Sequence, residues 1–139
     1  MKAYFGRRYM LSASHRLHVD GLSVEENRRV YGKCNNPHGH GHNYVIEVMV
    51  GGQVAEETGM VVDMPALDGV VRKLVLDRFD HANLNMDEIF VNRVPTTENL
   101  CRAVYDLLLD RIPGGTLQTV RVEETENNFF ECRNLDEDP

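Results

Sequence analysis

The chain has 139 residues, 42% of them hydrophobic, and a formal net charge of -7. That is the size of one ordinary domain, residues 1–139, able to bury a core without disulfides or a structural metal. The charge has the wrong sign for neutralising nucleic-acid phosphates, and no apolar run approaches the roughly 20 residues that span a bilayer, so neither nucleic acid nor membrane is expected as a partner.

The N-terminus, MKAYFGRRYML, mixes charge into its apolar positions and lacks the continuous apolar segment of a secretory signal, which predicts a cytoplasmic protein. Three widely spaced cysteines, Cys34, Cys101 and Cys132, are then read as free thiols rather than a disulfide framework. From Ala3 to Leu17 the odd positions Ala3, Phe5, Tyr9, Leu11, Ala13, His15 and Leu17 alternate with their neighbours, interrupted only at Arg7. This is a strand pattern, and it gives His15 the parity of the core side. Arg16, Arg28, Arg29 and Lys33 then make a locally basic stretch, either a solvated loop or a landing place for a small anionic substrate.

Residues 34 to 44, CNNPHGHGHNY, hold one thiol and three of the six histidines and run into a second strand. His40, His42, Tyr44, Ile46, Val48 and Val50 share one parity, so the imidazoles at 40 and 42 continue the apolar face. Two histidines at i and i+2 on one side of a strand can close on one ion, and His15 on an adjacent strand can supply a third ligand. Three neutral imidazoles with an open position are the pattern of catalytic zinc, whereas structural zinc usually fills all four positions from the protein. The plainer alternative is a surface H-x-H with no metal. Gly39 and Gly41 keep the alternate positions clear of side chains. His38 shares the parity but stands next to Pro37, before the strand, and is expected to face solvent.

After a turn at Gly51-Gly52 and a short extended piece, Met60 to Val62, a helix is predicted from about Pro65 to Phe79. Asp63 caps it, and Leu67, Val70, Val71, Leu74 and Val75 form its stripe. Asp80-His81 follows, either a histidine complementing the helix dipole or a carboxylate-supported imidazole able to carry protons. In PTTEN, Thr96 or Thr97 caps a second helix, and the free amides there also suit a polar ligand. Its stripe is Leu100, Val104, Leu107, Leu108 and Ile112, and it stops at Pro113-Gly114-Gly115. A hairpin closes the chain, with Val120, Val122 and Glu124 on one parity, a turn at Glu126-Asn127-Asn128, and then FFECR. Glu124 puts a carboxylate at the mouth of the apolar face, where it must meet a donor. Glu123 points outward, and Cys101 and Cys132 are inert thiols. The order ββααββ predicts an α+β protein, a four-stranded antiparallel sheet with two helices on one face. Its two open edges point to edge-to-edge association into a ring.

SASHRL (12–17), CNNPHGHGHNY (34–44), TGMVVDMPAL (58–67), DHANLN (80–85), PTTEN (95–99) and EETENN (123–128) together resemble the 6-pyruvoyl-tetrahydropterin synthase family over nearly the whole chain. The resemblance implies the T-fold, in which subunits join into a barrel, and a homohexamer of two stacked trimers with active sites at subunit interfaces. It implies Zn2+ on the residues matching His15, His40 and His42, and Cys34 as catalytic base. Asp80 and His81 from a neighbouring subunit would work with that base, Glu124 would anchor the pterin ring, and the amides around Thr96 and Thr97 would close the pocket. The implied reaction removes triphosphate from 7,8-dihydroneopterin triphosphate with internal rearrangement to 6-pyruvoyl-tetrahydropterin, without an external redox cofactor.

The related 6-carboxy-tetrahydropterin synthase of queuosine biosynthesis shares fold, metal and substrate but also releases acetaldehyde. Its typical members place three residues between the cysteine and HGH. Here there are five, Asn35 to Gly39, which ranks the pyruvoyl product first. His38, near enough to Cys34 to disturb its pKa, and Leu11, in place of an aromatic before SASH, depart from the family pattern. A metallohydrolase of the H-x-H type needs a longer chain, and a zinc-binding protein without catalysis is the remaining alternative.

Overall fold

The odd-position alternation of the first strand is realised along its whole length. In the computed structural model, which describes residues 1–137, β1 runs Lys2–His15, with Leu11, Ala13 and His15 buried between half-exposed neighbours. β2, His40–Gln53, pairs with it antiparallel and sets His15 opposite His40 and Ala13 opposite His42. Opposed residues share a face, so this register puts the core-side parities of both strands together. A slip by one residue would turn every imidazole to the other side.

α1, Val24–Tyr31, occupies the basic stretch that the sequence reading leaves as a loop. Ser23 caps it by accepting from the Glu26 N–H, Glu25 and Glu26 suit its first turn, and Arg28 and Arg29 suit its last. Only Asn27 is buried. Its amide donates to the carbonyls of Val19, Leu22 and Ser23, and its oxygen accepts from the Val19 N–H. Gly32, at φ 56°, ends the helix, and a 3-10 turn, Gly32–Asn35, carries Cys34 back toward β2.

α2, Met64–Val71, starts at its Asp63 cap, whose side chain accepts from the Ala66 N–H. It passes into a π-helical turn, Arg72–Leu76, and ends in one more turn, Asp77–Phe79, so the predicted span holds with a bulge inside it. Arg7, the break in the β1 pattern, faces this helix: its guanidinium donates twice to Asp68 at 2.9 Å, and the Tyr9 hydroxyl donates to the same carboxylate at 2.7 Å. α3, Thr97–Leu108, stops short of the predicted end, leaving Ile112 buried but outside the helix. Met60 to Val62 is a bend rather than an extended strand.

β4, Thr116–Thr125, pairs with the other side of β2, and β5, Asn128–Arg133, pairs with β4, both antiparallel. Two residues, Ala82–Asn83, form β3 and run parallel to β1 at Ala13 and Ser14. Among the described residues the sheet is therefore five-stranded, in the order β3-β1-β2-β4-β5, not four-stranded, and α1 is a third helix beside the two expected on the core face. The core lies between the sheet and the two longer helices. Tyr44, Ile46, Val48 and Val50 of β2 and Val120 and Val122 of β4 meet Leu67, Val71, Val75 and Phe79 on one helix and Leu100, Val104 and Leu108 on the other. Each such side chain contributes about 1.5–3 kcal/mol on burial, so the sheet that carries the histidines is anchored by packing. Among the described residues no helix is long and apolar enough to cross a membrane.

Candidate metal centre

Where β1 ends and β2 begins, the core face changes from aliphatic to imidazole. His15 is 1% exposed, and its Nε2 lies 3.3 Å from His40 Nε2, which in turn lies 2.9 Å from His42 Nε2. Ligand atoms of His15, Cys34, His40 and His42 all lie within 4.8 Å of one another. Two imidazole nitrogens held tetrahedrally at zinc–nitrogen bond lengths are about 3.3 Å apart, so the spacing suits one small divalent ion.

The protonation states suit it too. His15 Nδ1 stands 2.9 Å from the Pro95 carbonyl, which can only accept, so Nδ1 carries the proton and Nε2 presents a lone pair to the cluster. The Tyr44 hydroxyl lies 3.2 Å from the same Nδ1. Burial lowers the pKa of His15 and, in the same way, that of His42, keeping both imidazoles neutral, the form that binds metal.

Backbone geometry holds the approach. Gly39 has φ 72°, and a Cβ there would stand 2.9 Å from the His15 carbonyl oxygen. Only glycine fits. At Gly41 a Cβ would meet Ala13 O at an ordinary 3.7 Å, so backbone packing does not demand glycine there. His38 is exposed and outside the cluster, as expected.

Glu124 completes the polar end of the sheet. Its Oε1 is 2.8 Å from His42 Nε2, and its Oε2 accepts from Thr97 Oγ1 at 2.7 Å and from Asn128 Nδ2 at 3.1 Å. Burial works to raise its pKa, but these donors and the imidazole of His42 outweigh it, and the carboxylate is held below its ordinary value. The two threonines of PTTEN separate in role: Thr96 caps α3 by accepting from the Asn99 N–H, while Thr97 grips Glu124. Asn128 is a residue the sequence reading passes over as a turn position.

Cys34 is half-buried on its 3-10 turn. The turn is tied to the end of β1 by the Leu17 N–H donating to the Cys34 carbonyl at 2.7 Å and by Asn35 Nδ2 donating to the Leu17 carbonyl at 2.8 Å. Burial, and then the charge of Glu124, push its thiol pKa up. No cation from this subunit stands among the groups that shift it. Asp80 and His81 lie elsewhere. Asp80 accepts from the Ser12 N–H at 2.8 Å, which holds its carboxyl below the ordinary range, and pairs with His81 Nδ1 at 3.1 Å. The His81 side chain is 83% exposed and borders a groove with Ser12, Ser14, Gly41 and Asn43.

Fold and cluster together define an α+β protein whose mainly antiparallel sheet ends in a three-histidine, one-cysteine group able to hold a metal ion, with a carboxylate beside it. The family model described as 6-pyruvoyl tetrahydropterin synthase matches residues 5–135, and the chain belongs to that family. The human 6-pyruvoyl tetrahydrobiopterin synthase is 44% identical over 129 residues, covering 92% of this chain and 89% of the human protein. The solved structure of the Caenorhabditis elegans 6-pyruvoyl tetrahydropterin synthase superposes with a TM-score of 0.88 at 40% identity, covering 96% of each chain, and the expected T-fold is the fold adopted here. The 6-carboxy-5,6,7,8-tetrahydropterin synthase of Bacillus subtilis is 32% identical over 83 residues, covering 57% of this chain and 53% of that protein.

Proposed function

We propose that this chain is a zinc-dependent 6-pyruvoyl-tetrahydropterin synthase, removing triphosphate from 7,8-dihydroneopterin triphosphate and rearranging the side chain to the pyruvoyl product. The observation that carries the reading is the convergence of His15, His40, His42 and Cys34 within 4.8 Å, with Glu124 alongside, in a chain 44% identical to the human enzyme. His15, His40 and His42 would hold Zn2+, which would supply Lewis-acid charge to the substrate's side chain.

The remaining work falls to the chain's own groups. Glu124, oriented by Thr97 and Asn128, accepts N–H groups of the pterin ring, and the PTTEN amides around Thr96 and Thr97 border the pocket. Cys34 takes the proton from carbon. A free thiol titrates at about 8.5, so it needs a cationic neighbour, which the ion on the three histidines would provide. The outward placement of Asp80 and His81 supports their donation to another subunit's site, where His81 relays protons with Asp80 steadying it. The working form is then a homohexamer of two trimers in the cytoplasm, each subunit one domain.

The experiment is incubation of dihydroneopterin triphosphate with zinc-loaded protein and identification of the products by mass. Triphosphate with 6-pyruvoyl-tetrahydropterin is the expected result. The Bacillus relative favours a second reading, in which acetaldehyde and 6-carboxy-tetrahydropterin appear instead. The five-residue spacing from Cys34 to His40 supports the first. Unchanged substrate from metal-loaded protein overturns both.

A further inference from the structure

A second depression adjoins the imidazole cluster. It is an open groove of about 540 Å³ between the end of α1 and the loop Asn35 to Pro37, and His40 forms part of its wall. Arg28 and Lys33 line it. Gly32, between them, turns the chain at positive φ, so the last turn of α1 and the following 3-10 turn offer their cations to one space.

These two cations differ from their basic neighbours. Arg29 is engaged by Glu26 at 2.7 Å, and the Arg16 guanidinium donates to the Asn35 carbonyl at 3.3 Å. Among the described residues no carboxylate pairs with Arg28 or Lys33. The chain has 22 acidic residues against 15 Lys and Arg, so two uncompensated cations on one groove wall make a local field opposite in sign to the molecule's net charge. α1 itself buries only Asn27, so core packing does not account for where it stands.

Resting on the assignment of dihydroneopterin triphosphate to the neighbouring centre, we propose that Arg28 and Lys33 form the subsite for the substrate's triphosphate. The tail lies in this groove while the pterin side chain reaches past His40. Arg28 offers a planar fork that matches two phosphate oxygens, and Lys33 offers a mobile point charge that follows the remaining ones. The subsite narrows the basic stretch of the sequence to two of its four residues. It also accounts for a helix that contributes almost nothing to the core.

The test is calorimetric titration of the full chain with inorganic tripolyphosphate, with metal content measured before and after so that chelation is seen directly. Wild type binds it. The Arg28→Gln/Lys33→Gln protein binds about tenfold more weakly for each charge removed, at unchanged metal content and unchanged circular dichroism. The charge-retaining Arg28→Lys/Lys33→Arg protein binds more tightly than the Gln variant and more weakly than wild type, because the charges stay and the fork moves. Equal affinity of wild type and the Gln variant, or no binding by wild type, overturns the subsite. Turnover of dihydroneopterin triphosphate separates the two readings: turnover with no tripolyphosphate binding leaves the enzyme and removes the subsite. Binding that depends on Arg28 and Lys33 without turnover keeps an oligophosphate site and removes the enzyme assignment.

Discussion

The Glu124 carboxylate on β4 lies 2.8 Å from His42 Nε2 on β2, so this carboxylate and the imidazole cluster form one continuous polar site. The contact follows from strand order. β4 pairs with β2 with Val122 opposite Ile46, so the next core-side residue on each strand toward this end, Glu124 and Tyr44, leads to His42. Thr97 and Asn128 hold the outer oxygen, leaving Oε1 for the site.

Glu124→Gln keeps the shape and removes the charge. Because the oxygen left to accept ring N–H groups loses its charge, kcat/KM for dihydroneopterin triphosphate is expected to fall about 30-fold or more, equivalent to about 2 kcal/mol of lost charge-assisted hydrogen bonding. Zinc content, measured by mass spectrometry of the metal, is expected to stay near that of wild type. An unchanged kcat/KM would remove Glu124 from substrate binding.

Gly39→Ala tests the loop that delivers His40. The new Cβ meets His15 O at 2.9 Å and sits on a backbone at φ 72°, so the loop must move. A cost of about 1–3 kcal/mol is expected, visible as a Tm lowered by several degrees and as weaker zinc binding. Gly41→Ala, with only an ordinary contact to Ala13 O, is the control and is expected to leave both within error.

The parts of this architecture that were legible from sequence are those with a period. Alternation along β1 and β2 puts His15, His40 and His42 on the core side, because a strand reverses its side chains at every residue. The helix at 64 to 79 was legible from its stripe and its Asp63 cap, but the π turn inside it was not, since one bulge scarcely disturbs a 3.6-residue pattern. α1 escaped because its apolar residues Val24 and Val30 are exposed and leave no buried stripe to detect. The two residues of β3 are too few to alternate. The grip of Thr97 and Asn128 on Glu124 joins segments far apart in sequence, and the raised pKa of Cys34 depends on burial and on Glu124. Neither can be read from spacing.

Acid stability is expected to depend on carboxylates remote from this centre. Arg78 donates twice to Asp87, at 2.9 Å and 2.8 Å, and holds its carboxyl below the ordinary range; Arg7 does the same for Asp68. A carboxyl whose folded pKa is depressed contributes stability above its unfolded value of about 3.9, and that contribution drains away as pH falls toward the folded value. Tm is therefore expected to drop between about pH 5 and pH 3. Asp87→Asn, which keeps an acceptor for the Ile89 N–H, is expected to be less stable at pH 7 by about 1–2 kcal/mol and to lose less on acidification. Parallel melting curves for wild type and variant would argue against the pair.

Cys34 offers the sharpest reading of what metal and neighbouring subunits add. Within one subunit its thiol is pushed up, first by burial and then by the negative charge of Glu124. A thiolate forms only where a positive charge offsets both, and a divalent ion held by His15, His40 and His42 would stand within reach of Cys34, all four ligand atoms lying within 4.8 Å. The pH profile of iodoacetamide alkylation, read at Cys34 by peptide mass, is therefore expected to have its midpoint above that of a free thiol, about 8.5, after metal is stripped, and below it after zinc is restored. Asp80→Asn/His81→Ala in the loaded protein is expected to move the midpoint back up only if these residues approach Cys34 from another subunit, because within the chain His81 is turned to solvent. Alkylation of Cys34 with the same midpoint in stripped and loaded protein would mean that the ion does not tune this thiol. Cys34 would then lose its place as the base.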